Sequence, residues 1–201
     1  MKSHLTIIFL LIATISNAEE AKKIQPPILH EYFNVSPNGD ATQCGNIGHH
    51  SAALGEWLPQ IIVDTDNKTG GCMQSFSIED PDEILGDMQI TLSWTADKGG
   101  DPKQCGGPDS TIIPITKNGQ TTSQPIFLDM DNRRGGCNQK FVIEKNKNYG
   151  LEVYMEPNGD ASQCHGATLG SVAKLNSPIT IGLDTDNKNG GCIVKYRLVK
   201  L

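Results

Sequence analysis

One nine-residue pattern occurs three times in this chain, and it constrains the fold more than any other feature. The pattern is D-x-D-N-x-x-G-G-C, and a shorter pattern, G-D-x-x-Q-C, precedes each copy. From the cysteine of the short pattern to the first aspartate of the long one, the spacing is 20, 24 and 20 residues. Internal similarity at a nearly fixed period predicts three homologous units, at about residues 31–80, 89–145 and 149–200.

The first 18 residues have the features of a signal peptide. Lys2 supplies a short positive region, and Leu5 to Ile15 is an apolar run too short to span a bilayer. Small residues at Ser16 and Ala18 predict cleavage after Ala18. We therefore expect a secreted or periplasmic protein that is not inserted in a membrane. Residues 19–30 are expected to be a tether, followed by a single domain at 31–201.

All six cysteines lie in the two repeated patterns, two in each unit. An even count in an exported chain favours disulfides over free thiols. Of the 15 pairings that six cysteines allow, the repeat makes one the simplest, because it places the same bond in each unit: Cys44–Cys72, Cys105–Cys137 and Cys164–Cys192. A zinc site is the alternative, but the sequence has no C-x-x-C pair and no matched histidines.

The apolar residues of each unit alternate with polar ones, which is typical of β-strands. About four short strands are expected in each unit. A unit of this size is marginal alone, so the three units are expected to share one core. The predicted fold is an all-β, disulfide-stapled domain with a threefold internal repeat. A β-trefoil-like arrangement is favoured, and a β-prism of three four-stranded sheets is the alternative.

An aromatic residue follows the second cysteine of each unit at the fourth position, namely Phe76, Phe141 and Tyr196. These aromatics would serve as stacking surfaces for a ligand if they were exposed. However, an aliphatic residue two positions later is also retained in each unit, which extends the alternation. We therefore predict that the three aromatics lie in the common core.

The two patterns of each unit bring three carboxylates and two amides close to one predicted disulfide. The fifteen candidate ligand residues are Asp40, Gln43, Asp64, Asp66, Asn67, Asp101, Gln104, Asp129, Asp131, Asn132, Asp160, Gln163, Asp184, Asp186 and Asn187. Such clusters of carboxylates repel one another, so a compensating partner is expected unless the residues serve only the turn.

Three interpretations of these loops stay open. Asp, Asn and Gly-Gly favour tight turns and positive φ, so the loops can be purely structural. Calcium takes six to eight oxygen ligands of these types, although the loop lacks the Glu at position twelve of an EF-hand. Direct hydrogen bonds to sugar hydroxyls are the third interpretation. Against this third interpretation, the units share no aromatic residue on which a sugar could stack, since Trp57 and Trp94 occupy non-equivalent positions.

Two classes of function are disfavoured. The formal charge is −6, which argues against nucleic acid, because such binding rests on Lys and Arg neutralising phosphates. No G-x-S-x-G, H-E-x-x-H or phosphate-loop pattern occurs, so no catalytic constellation is predicted. The His49-His50 pair is a candidate for metal binding or acid–base chemistry, but no partner is fixed by spacing.

The sequence therefore predicts a binding module. The leading hypothesis is lectin-like carbohydrate binding, to a glycan or another cell-surface partner, through three equivalent acidic loops assisted by calcium. The alternative is a secreted inhibitor or interaction protein that uses one loop, as a protease inhibitor does. The four additional residues of unit two fall near Asn118-Gly119, a pair that favours a surface hairpin, so this longer loop is the candidate for that role.

Overall fold

The computed structural model describes residues 22–37, 39, 42–63, 71–96, 103, 105–128, 136–159, 162, 164–183 and 190–201. Within these ranges the chain forms fourteen β-strands and no α-helix, which confirms the all-β class. The predicted signal peptide, residues 1–18, lies outside the described residues. No helix in the described part of the chain is long and apolar enough to cross a membrane.

The described strands are grouped by the three units that the sequence predicts. Unit one contains β1 (Ile28–Val35), β2 (Cys44–Gly45), β3 (Gly48–Ala53), β4 (Ile61–Val63) and β5 (Cys72–Glu79). Unit two contains β6 (Gln89–Ala96), β7 (Ser110–Ile113), β8 (Ile115–Thr116), β9 (Ile126–Leu128) and β10 (Cys137–Glu144). Unit three contains β11 (Tyr149–Pro157), β12 (Val172–Ala173), β13 (Ile179–Leu183) and β14 (Cys192–Lys200). β1 therefore begins inside the segment 19–30 that the sequence assigns to a tether.

The same order of strands recurs in three sheets. In each unit the first and last strands are long and pair antiparallel: β1 with β5, β6 with β10, and β11 with β14. The free edge of the first strand carries β3, β7 or β12. The free edge of the last strand carries the second-to-last strand of the next unit, so β9 pairs with β5, β13 with β10, and β4 with β14. This exchange runs from unit to unit and back to the first, so the three units interlock.

All three predicted disulfides are present, which confirms the pairing. Their Cα–Cα distances are 5.8, 5.7 and 5.8 Å, within the usual range for such bonds. The bonds also join neighbouring sheets. Cys44 lies in β2, which pairs with β4 in the sheet of unit three, whereas Cys72 opens β5 in the sheet of unit one. Three disulfides fit an oxidising compartment.

The three repeated aromatics meet in the core, as predicted. Phe76, Phe141 and Tyr196 are at most 1% exposed. Their ring centroids are 5.2 to 6.3 Å apart, in tilted and edge-to-face arrangements. Such contacts between aromatic rings contribute about 0.5–1.5 kcal/mol each beyond the burial of their area. One aromatic side chain from each unit therefore packs against the other two in the shared core.

A ring of three hydrogen bonds lies beside these aromatics and links the three units. Gln139 Nε2 donates to Gln74 Oε1 over 2.9 Å, and Gln74 Nε2 donates to the Tyr196 hydroxyl over 3.3 Å. The hydroxyl in turn donates to Gln139 Oε1 over 3.2 Å. All three side chains are fully buried. Buried polar groups of this kind are tolerated because each finds a partner.

The apolar residues between Leu169 and Lys174 also make this segment a strand candidate in the sequence, but only Val172–Ala173 forms a named strand. Gly170 has a φ of 89° and Leu169 is 71% exposed, so the chain is not extended and paired there. One local prediction is wrong. A hairpin was expected at Asn118-Gly119. The turn exists, with Gly119 at a φ of 60°, but the preceding strand β8 pairs in parallel with β5.

Candidate functional site

Fourteen of the fifteen predicted ligand residues lie outside the described part of the chain, so a calcium or sugar site in the acidic loops stays a prediction. These residues are Asp40, Asp64, Asp66, Asn67, Asp101, Gln104, Asp129, Asp131, Asn132, Asp160, Gln163, Asp184, Asp186 and Asn187. Gln43 is described, and its side chain is fully buried. The Gln43 side chain is therefore shielded from solvent.

The structure fixes both ends of each acidic loop. Every loop follows the second-to-last strand of its unit and ends at the second cysteine, which opens the last strand. Within each sheet, the second cysteine of one unit pairs across neighbouring strands with the residue that directly precedes the next unit's loop. The pairs are Cys72–Leu128, Cys137–Leu183 and Cys192–Val63. The end of one loop is thus adjacent to the start of the next at three equivalent junctions.

The backbone beside the disulfides follows the same conformation in all three units. The second glycine of each Gly-Gly pair has positive φ: 54° at Gly71, 44° at Gly136 and 65° at Gly191. This is the left-handed region that glycine enters without steric cost, and it agrees with the role expected of Gly-Gly. The residue before each of these cysteines therefore has the same left-handed conformation in all three units.

The two adjacent histidines of unit one face opposite sides of β3, because successive side chains of a strand alternate. His50 is buried and its Nδ1 lies 3.4 Å from Glu31 Oε2. His49 is exposed and its Nε2 lies 3.2 Å from His30 Nδ1. A metal or acid–base site made by His49 and His50 together is therefore excluded by the strand geometry.

Glu31 is a buried carboxylate in the core of unit one. It lies opposite Phe76, at the position that Leu92 and Val153 occupy in the other units. Gln74 Nε2 donates to its Oε1 over 2.5 Å, which connects Glu31 to the hydrogen-bond ring. Burial raises the pKa of the Glu31 carboxyl, and hydrogen bonds from His50 and Gln74 offset part of this rise.

A second polar cluster lies on the outer face of the same sheet. His30 Nδ1 is 2.9 Å from Ser51 Oγ and 3.2 Å from His49 Nε2, while His30 Nε2 is 3.6 Å from Glu79 Oε2. Burial, followed by the proximity of His49, lowers the pKa of His30, and Glu79 opposes this shift. Spacing along the sequence could not reveal the cluster, because pairing of β1 with β3 and β5 brings its members together.

An aromatic surface lies on the outer face of the sheet of unit three. The Arg197 guanidinium lies 4.4 Å from the Trp57 ring centroid, and the Trp57 and Tyr154 centroids are 6.5 Å apart. Glu152 Oε2 accepts a hydrogen bond from Arg197 Nε over 2.7 Å and lies 2.7 Å from Arg197 Nη2 in an ion pair. Trp57 belongs to unit one but lies against the sheet of unit three, because the following strand β4 pairs with β14 of that sheet.

Among the described residues, no group of three or more His, Cys, Asp or Glu side chains is arranged to hold a metal ion. The outer cluster of unit one accordingly offers two imidazoles and a hydroxyl, with its carboxylate on the far side of His30. Comparison of the chain with protein-family models, with curated proteins and with solved structures found no match.

Proposed function

We propose that this protein is a lectin-like carbohydrate-binding module whose three acidic loops are equivalent sites. The observation that supports this proposal is the identical anchoring of the loop ends at Cys72–Leu128, Cys137–Leu183 and Cys192–Val63. A disulfide holds each of these cysteines. Fixed ends reduce the entropy that a binding loop loses when a ligand orders it.

The residue types of the loops suit sugar hydroxyls. Carboxylate and amide oxygens accept hydrogen bonds from hydroxyl groups, and amide N–H groups donate to hydroxyl oxygens. The same oxygens suit calcium, which would neutralise the loop carboxylates and offer open coordination positions to a sugar. Three modest sites on one frame gain avidity on a surface with repeated ligands.

The aromatic surface at Trp57 and Tyr154 adds to this proposal. Sugar rings present C–H faces that pack on aromatic side chains, and both residues are only half-buried. Arg197 and Lys195 lie over the two rings, at 4.4 and 5.6 Å from the centroids, and both can donate hydrogen bonds. This surface would lengthen the contact with an extended glycan beyond a single loop.

For the arrangement of the sheets, we favour the β-prism over the β-trefoil. In the described residues, the first and last strands of each unit pair with each other, and neighbouring sheets are joined by an exchanged second-to-last strand. A trefoil barrel would need the long strands of successive units to pair with each other. We also expect export, to the periplasm or the medium, after cleavage at Ala18.

The test is a glycan array probed with the oxidised protein, once with calcium and once with chelator. We expect binding to a defined set of glycans, weaker in chelator, and lost in the triple variant Asp64→Asn/Asp129→Asn/Asp184→Asn. A matched control, Asp87→Asn/Asp109→Asn/Glu144→Gln, changes the same charge at exposed positions outside the loops and should bind normally. Unchanged binding by the triple variant, or no glycan bound by the wild type, would overturn the proposal.

A further inference from the structure

Three ligand atoms converge on the outer face of unit one, far in sequence from the acidic loops. They are His30 Nδ1, His49 Nε2 and Ser51 Oγ, and they form a triangle with sides of 3.2, 2.9 and 3.4 Å. The strand register produces this triangle, because His30 lies opposite Ser51 and Tyr32 lies opposite His49. Each pair of these atoms lies within hydrogen-bond distance, so the three side chains already form one compact polar group.

The triangle has the dimensions of one face of a metal coordination shell. With zinc–nitrogen distances of about 2.0–2.1 Å, tetrahedral ligands are about 3.3 Å apart. Imidazole nitrogens suit Zn²⁺, Cu²⁺ and Ni²⁺, and the hydroxyl oxygen of Ser51 or water can complete the shell. Small side-chain movements would place all three atoms at bonding distance from one ion.

The surroundings of both rings fit a pair of metal ligands. Glu79 Oε2 lies 3.6 Å from His30 Nε2, so a proton on Nε2 faces the carboxylate and the lone pair of Nδ1 faces the triangle. A carboxylate behind a histidine ligand is the usual arrangement at metal sites. Tyr32 stacks on His49 with ring centroids 4.3 Å apart and an interplanar angle of 3°, which fixes the second ring.

The accessibility of the cluster favours the same role. The His30 side chain is 12% exposed, whereas His49 and Ser51 are exposed, so an ion can reach the cluster from solvent.

The other two units lack this cluster. At the position of His30 they carry Thr91 and Glu152, and at the position of Ser51 they carry Ile112 and Val172. A site built from these residues would therefore occur once in each chain. The acidic loops, by contrast, occur three times, so stoichiometry separates the two kinds of site.

We infer that His30 and His49, with Ser51 beside them, bind one divalent transition-metal ion of the Zn²⁺ and Cu²⁺ class. Glu79 acts as a positioning residue, because it touches His30 and not the ion. This site is independent of the proposed glycan binding.

The test is isothermal titration of the oxidised protein with ZnCl₂ and with CuCl₂, in buffer that contains excess calcium to occupy the acidic loops. We expect one ion per chain in the wild type. His49→Ala, at an exposed position, should lose this binding while it keeps the wild-type melting temperature. Glu79→Gln should weaken binding by about tenfold or more. His165→Ala removes an exposed histidine elsewhere and should bind normally.

Electron paramagnetic resonance of the copper complex supplies a second readout. Two imidazole nitrogens should couple to Cu²⁺ in the wild type and in His165→Ala, and a two-nitrogen pattern should be absent in His49→Ala. Equal affinity and stoichiometry in His49→Ala and the wild type would overturn the inference. So would the absence of binding at one equivalent in the wild type, or a loss of binding in His165→Ala.

Discussion

Unit three differs from the other two units at two neighbouring core positions, and the two differences compensate each other. Where units one and two have Gln74 and Gln139, unit three has Val194, and where they have phenylalanine it has Tyr196. The Tyr196 hydroxyl takes the place of the missing amide in the hydrogen-bond ring. Burial raises the pKa of this phenol, so it remains a hydrogen-bond donor.

We predict that Tyr196→Phe lowers the free energy of unfolding by about 1–3 kcal/mol, because Gln139 Oε1 loses its donor inside the core. The double variant Val194→Gln/Tyr196→Phe gives unit three the residues of the other units and should recover part of this loss. Urea unfolding at pH 7 measures both effects. A single variant as stable as the wild type would contradict the role of the ring.

Glu31 is another core residue at which the repetition breaks, and it makes stability depend on pH. Burial raises its pKa above the ordinary value of 4.5, so the folded state binds the proton more tightly than the unfolded chain. Its contribution therefore favours folding below about pH 4.5 and is lost as pH rises through the raised pKa.

We predict that Glu31→Gln gains stability relative to the wild type as pH rises from 4 to 8. The expected gain is about 1.4 kcal/mol for each unit by which the folded pKa exceeds the unfolded one. Urea unfolding of both proteins across this range provides the measurement. A difference that stays constant with pH would show that Glu31 titrates normally in the folded protein.

At the scale of strands, some features were predictable from local patterns and others were not. The spacing of the cysteines predicted the three disulfides, and the alternation in the last strands placed Phe76, Phe141 and Tyr196 in the core. The same alternation places Gln74 and Gln139 on the core face. Because glutamine is usually exposed, their burial could not be predicted from the sequence. Alternation identifies the face of a strand and not its neighbour, so the exchange of β4, β9 and β13 could not be predicted.

The same limit explains what the sequence missed at the candidate sites. His30 and His49 are separated by 19 residues and meet only because β1 pairs with β3. Trp57 meets Tyr154 through contacts between units one and three. The acidic loops, in contrast, were recognisable at once because each is a continuous, repeated segment.

We predict that each disulfide contributes about equally to stability, because the bonds close loops of similar length and join equivalent sheets. The sequence separations are 28, 32 and 28 residues, for which the lost loop entropy corresponds to roughly 3–4 kcal/mol per bond. Replacing one cysteine pair at a time by alanine and measuring urea unfolding tests this prediction. A pair whose removal leaves stability within about 1 kcal/mol of the wild type would contradict it.

For the whole molecule, strand exchange and the disulfides form a closed ring of three sheets. Each junction of the ring carries the end of one acidic loop and the start of the next. The carboxylates of the loops contribute to the net acidic charge of −6. This construction makes three separate and equivalent sites the central expectation for function.

The most direct test is the binding of single-loop variants to a surface densely coated with a glycan found on the array. Asp64→Asn, Asp129→Asn and Asp184→Asn should each weaken the apparent affinity by a similar factor, roughly tenfold or more, because each removes one of three sites. Surface plasmon resonance gives these affinities. If one variant abolished binding while the other two bound like the wild type, the protein would have a single site and the account of three equivalent loops would be wrong.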